Sequence, residues 1–164
     1  MTRSTALAVA AVAATSLATT AAAQSVSVTV ENLAPAGGVS LTPLFIGIHD
    51  GTFDLFDPGV AVSPGLEEVA ELGSTGTLAG ELPGGSAFTT FTSGAPPVFE
   101  PGEINTTTLD AAGNRFLNIA AMVVPSNDLF IGNPTPIELF DDMGNFTGPV
   151  TITLTGANVW DAGT

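Results

Sequence analysis

The chain has 164 residues, 16 Asp+Glu against 2 Lys+Arg, a formal charge of −14, and neither Cys nor Tyr. A charge so nearly of one sign excludes a groove for nucleic-acid phosphates or an anionic membrane surface and favours a cationic partner. The missing thiols exclude disulfides, thiolate metal sites and cysteine nucleophiles, while 45% hydrophobic and 7% aromatic residues describe one folded domain rather than a disordered chain.

Residues 1–23 read as a secretory signal peptide. Arg3 precedes a mildly apolar run from Ala6 to Leu17, and Ala21-Ala22-Ala23 supplies the small residues a signal peptidase inspects, so cleavage is expected after Ala23. The domain is then 24–164, in a secreted or periplasmic protein. The run is too short and too rich in Ala and Thr to span a bilayer, and no later stretch reaches the roughly 20 apolar residues that spanning needs. Beyond residue 23, Arg115 is the only Lys or Arg, one cation against sixteen acids, or −15.

Ser25 to Glu31 alternates valine with small polar residues, the period of a half-buried strand. Leu41 to His49 is more continuously apolar and reads as a strand covered on both faces, with Pro43 marking an edge or a bulge near its start. Asp54 to Pro64 is a Gly/Pro-rich loop. Pro64 to Gly73 carries Pro at its start, acids in its first turn, apolar residues at 66, 69, 70 and 72 and a terminal Gly, which predicts one short helix over 64–72. Strand-like runs follow at Thr77 to Leu82, Ala87 to Phe91 and Val98 to Leu109.

Arg115 to Pro125, the most apolar run of the second half, predicts a central strand. Ile137 to Phe140 and Val150 to Trp160 predict two more, the latter alternating Val150, Ile152 and Leu154 with threonines. Asp110 to Asn114 and Asp141 to Asn145 each place an Asp and a Gly-Asn between strands and read as hairpin turns. About eight strands, one helix and many Gly/Pro connections predict an all-β fold, an antiparallel β-sandwich.

Few residues could carry chemistry. The lone histidine, His49, is followed by Asp50, but neighbours on a strand point to opposite faces and make no dyad. A single His beside a turn is more often a hydrogen-bonded structural residue. Ser63 and Ser126 lack a Gly-x-Ser-x-Gly elbow, and no carboxylate spacing singles out a glycosidase pair. What remains is oxygen-only chemistry, which suits a hard divalent cation such as calcium. Asp50, Asp54 and Asp57 read as solvated loop surface, and Arg115 is expected to pair with a nearby carboxylate such as Asp110.

Two segments are more particular: Phe116 to Gly132, with Val124-Pro125-Ser126-Asn127-Asp128-Leu129-Phe130-Ile131-Gly132, and the terminal Val159-Trp160-Asp161-Ala162-Gly163-Thr164. With Val28 to Leu33, Thr42-Pro43, Gly47-Ile48-His49-Asp50 and Pro64 to Gly73, they resemble the spondin N-terminal domain of F-spondin and mindin, in the form found in bacterial secreted proteins. The resemblance implies a sandwich similar in outline to C2 domains, which binds calcium through loop carboxylates at one end. Asp128 and Asp161 would be ligands. A third ligand would be an acid directly after Thr164, so the resemblance implies a chain that continues past that point. On local pattern alone, Asp128 reads as an N-cap or Asx turn, Asp161 as a turn residue before Gly163, and Trp160 as a core or rim anchor.

The expected function is a secreted, calcium-binding interaction or adhesion module without catalytic activity, engaging an extracellular or envelope partner. The alternative is a metal-dependent hydrolase using the same acidic loops, which would need a base near the ion. His49 is the sole candidate for that base.

Overall fold

The computed structural model describes residues 24–91 and 97–163; the signal-peptide reading on 1–23 and the terminal Thr164 fall outside them. In chain order the described elements are β1 (Ser25–Glu31), β2 (Ser40–Leu41), β3 (Leu44–His49), α1 (Pro64–Leu72), α2 (Gly76–Glu81), β4 (Ala87–Phe91), β5 (Ile104–Asp110), β6 (Phe116–Val124), β7 (Leu129–Gly132), β8 (Ile137–Glu138) and β9 (Val159–Asp161). All pairings are antiparallel. The larger sheet runs β4-β3-β6-β7-β9, with β2 and β8 also on β6, and β1 with β5 forms a separate two-stranded layer.

The expected β-sandwich is therefore present, with unequal layers. Alternation along β3 explains the asymmetry. Leu44, Ile46 and Ile48 point toward β1 and β5, where they join Val26, Leu109, Leu117 and Val123 in one apolar cluster. Phe45 points the other way, into a cluster of Phe53, Leu55, Phe56, Leu66, Val69, Leu78 and Phe130. The helices and the segment after β3 thus cover the sheet face opposite β1 and β5.

α1 spans the expected residues. Ser63 Oγ caps it by accepting from Leu66 N at 3.2 Å, and Gly73 ends it at φ 65°. A Cβ on Gly73 would lie 2.5 Å from Thr42 Cγ2, so the helix end is seated against the start of the sheet. Pro43 marks a bulge, not an edge, because β3 is flanked by β4 and β6. There Thr42 replaces a lost ladder contact: its N–H donates to Met122 O at 3.1 Å while its Oγ1 accepts from Met122 N at 3.0 Å.

Four expectations are corrected. Residues 76–81 form α2 rather than a strand, because Leu78 buries fully against α1. Asp110 to Asn114 is no hairpin, since β5 pairs with β1 and β6 with β3; the turn carries the chain from one sheet to the other. Arg115 does pair with carboxylates, but these are Glu138 and Asp142 rather than Asp110, and its Nε donates to Phe140 O at 3.1 Å. Of the strand expected over 150–160, only Val159–Asp161 joins a ladder, and Val150 and Ile152 stay exposed. The Asp141 turn does close antiparallel chain, through the bridge between Phe140 and Phe146.

Candidate functional site

Asp128 and Asp161 lie more than thirty residues apart in sequence. The fold brings them to neighbouring positions at one end of the larger sheet. β7 and β9 pair with Leu129 opposite Asp161 and Phe130 opposite Trp160, and Ala162 N donates to Asp128 O at 3.1 Å. Packing fixes this register: Phe56 stacks edge-on against both Phe130 and Trp160 at 5.1 Å, and Trp160 Nε1 donates to Gly132 O at 3.3 Å. Trp160 is thus the half-buried anchor expected of it.

The turn before β7 is organised by Ser126 rather than by Asp128. Ser126 Oγ donates to Val123 O at 2.5 Å and accepts from Leu129 N at 3.2 Å. Among the described residues nothing donates to the Asp128 carboxylate, so it is not the local cap that the pattern alone suggests. Asp161 does serve its own turn, its Oδ1 accepting from Gly163 N at 2.8 Å, with Gly163 at φ 79°. Alternation places Asp161 on the face of Leu129, whereas Asp128 sits in the bend before the strand, where no alternation fixes its direction.

Beside Asp161 is a cavity of about 370 Å³ lined by Gly59, Val60, Ala61, Asp161, Ala162 and Gly163. Its wall is the loop expected over 54–64, held in place by Phe53, Leu55 and Phe56 in the core. Asp57 O accepts from Val60 N at 3.1 Å, so an acidic loop borders the tail of β9. The donors here are oxygens, the type a calcium ion takes. Two carboxylates are few for such an ion: among the described residues no group of three or more His, Cys, Asp or Glu could hold a metal.

His49 is spent structurally. It is completely buried, and Gly51 N–H donates to its Nδ1 at 3.1 Å. A backbone N–H can only donate, so Nδ1 is the lone-pair nitrogen and Nε2 carries the hydrogen, donated to Asn118 Oδ1 at 2.7 Å. Asn118 Nδ2 donates to Asn133 O at 3.0 Å. Asn133 in turn accepts from Ile119 N at 2.8 Å and donates to Leu117 O at 3.1 Å. Burial pushes the His49 pKa below 6.5, against the Asn118 hydrogen bond and the Asp50 charge that pull it up. A base with both nitrogens engaged and no exposed edge cannot take a proton from water at the Asp128 and Asp161 end.

Single-sequence reading missed this buried amide network. The available signal was two polar residues, His49 and Asn118, at inward positions of otherwise apolar strands.

An antiparallel sandwich fixes an architecture rather than a particular activity. The Spondin_N family model matches residues 34–164. The chain belongs to the spondin N-terminal domain family, whose character is that of an extracellular interaction-type module. No match was found among curated proteins. No helix among the described residues is long and apolar enough to cross a membrane.

Proposed function

We propose that this protein is a secreted adhesion or interaction module without catalytic activity, in which Asp128 and Asp161 hold a calcium ion that orders the loop end facing its partner. The observation that carries the reading is the β7–β9 register, which seats Asp128 beside Ala162 and Asp161 beside Leu129. The partner is extracellular or on the envelope, and the charge of −14 favours a cationic surface.

Two carboxylates completed by carbonyls and water resemble the weak calcium sites of extracellular modules, with Kd about 10⁻⁴–10⁻³ M. Free calcium a hundredfold above Kd then stabilises the fold by about 2.7 kcal/mol. For a domain of this size that is a rise in Tm of about 5–12 °C. The experiment is differential scanning calorimetry with and without calcium, at matched ionic strength and with magnesium as the control ion. Asp128→Ala and Asp161→Ala should each abolish most of the calcium-specific rise; an identical Tm in EDTA and in 50 mM calcium would rule the reading out.

A further inference from the structure

We propose that His49 is an acid-sensing pin: while neutral it holds the turn Asp50–Phe53 closed, and once protonated it lets that turn open at the root of the segment walling the cavity beside Asp161. The inference needs no bound cation and goes beyond the proposed function.

The donor and acceptor roles around the ring leave one weak point. Nδ1 accepts Gly51 N–H at 3.1 Å, and Nε2–H already donates to Asn118, whose Nδ2 is committed to Asn133 O. Adding a proton to Nδ1 leaves the Asn118 bond intact and sets one N–H against another at Gly51. The Gly51 contact is the one that fails. Asp50, the adjacent carboxylate, is turned to Thr52, its Oδ1 accepting from Thr52 N at 2.9 Å and Oγ1 at 2.7 Å. Opening the turn exposes the imidazolium to water, which restores the ordinary proton affinity of a solvated imidazole and stabilises the open, protonated state.

The other charges around the ring are already engaged or point away. Just before β6, Arg115 donates its backbone N–H to His49 O, while its guanidinium holds Glu138 of β8 and Asp142 beyond it. At the end of α2, Glu81 binds Ser63 and Gly65, and Asp54 in the segment itself is exposed. The β4 residues paired with β3 carry no charge.

The turn has little room to adjust without opening. Gly51 sits at φ 102°, and a Cβ there would meet the Phe116 ring at 2.9 Å. Phe53 packs edge-on against the His49 ring at 5.4 Å, and from it the chain runs through Phe56, against Trp160, to Gly59–Ala61 at the cavity.

Linkage bounds the effect. The folded pKa is lowered, so acid favours the open turn below the free imidazole value of 6.5, by at most tenfold per pH unit. That push opens a turn; it does not strip buried aromatics from a core. The test is amide hydrogen exchange by NMR on the full chain between pH 7.5 and 5, corrected for intrinsic rates and kept above the carboxylate range near about 4. Gly51 protection should fall by up to tenfold per unit below pH 6.5 while Ile46 protection holds, and His49→Gln should remove the pH dependence. Constant Gly51 protection, an equal loss at Ile46, or the same loss in His49→Gln overturns the proposal. If that variant fails to fold, the wild-type imidazole resonances decide: the Gly51 loss must begin above the pH at which they titrate and level off there, and a loss that sets in only below their midpoint overturns it.

Discussion

Asn118 shows how one side chain can outweigh the charged groups around it. It accepts from His49, donates to Asn133 O and is wholly buried, so Asn118→Leu orphans a ring N–H and a carbonyl in an apolar interior. Each orphan costs about 1–3 kcal/mol, and the expected loss is about 2–5 kcal/mol, read as a lower midpoint in urea unfolding with unchanged slope. Arg115→Met should move that midpoint far less, although Arg115 is the only Lys or Arg after Arg3, because its carboxylate partners return to water. Nothing in sequence ranks the two this way. A lone Asn in an apolar run signals a buried polar group, but its partner His49 is 69 positions away, and only the β3–β6 register joins them. Asp128 and Asp161 were nameable from motif resemblance, whereas their adjacency through Ala162 N required the fold.

The two helices differ in how far local rules determine them. α1 carries Pro at its start, Ser63 as cap and Gly73 as stop, all of them legible. α2 has neither a side-chain cap nor a basic last turn, and two of its six residues are Gly, so it exists because Leu78 is buried against α1. Contact between them depends on Gly65, where a Cβ would lie 2.6 Å from Leu78 Cα and 2.7 Å from Glu81 Cδ. Helix propensity alone makes Gly65→Ala stabilising by about 1 kcal/mol. The backbone clash costs about 1–3 kcal/mol or forces the helices apart and breaks the Gly65 N to Glu81 Oε1 bond, so the net change is destabilising. Thermal unfolding of the variant checks the sign. The stretch 150–155 fails in the opposite direction, having strand alternation but no ladder.

At the scale of the whole molecule, stability is set against one-signed charge. Beyond residue 23 sixteen acids face one arginine, and that arginine is already paired. In most proteins added salt weakens attractive and repulsive surface terms together, whereas here the attractive side is nearly empty and screening removes mainly self-repulsion. Raising sodium chloride from about 10 mM to about 500 mM shortens the Debye length from about 30 Å to below 8 Å, and Tm should rise monotonically across that range. A flat or falling Tm would mean that the acids are spaced too widely, or are too well hydrated, for repulsion to matter. The same experiment calibrates the ion reading. Calcium screens as any divalent salt does, so only the rise that survives saturating sodium chloride, is not matched by magnesium and disappears in Asp128→Ala can be assigned to a site. If all of the calcium effect is screening, it should instead persist in both aspartate variants and vanish in high salt.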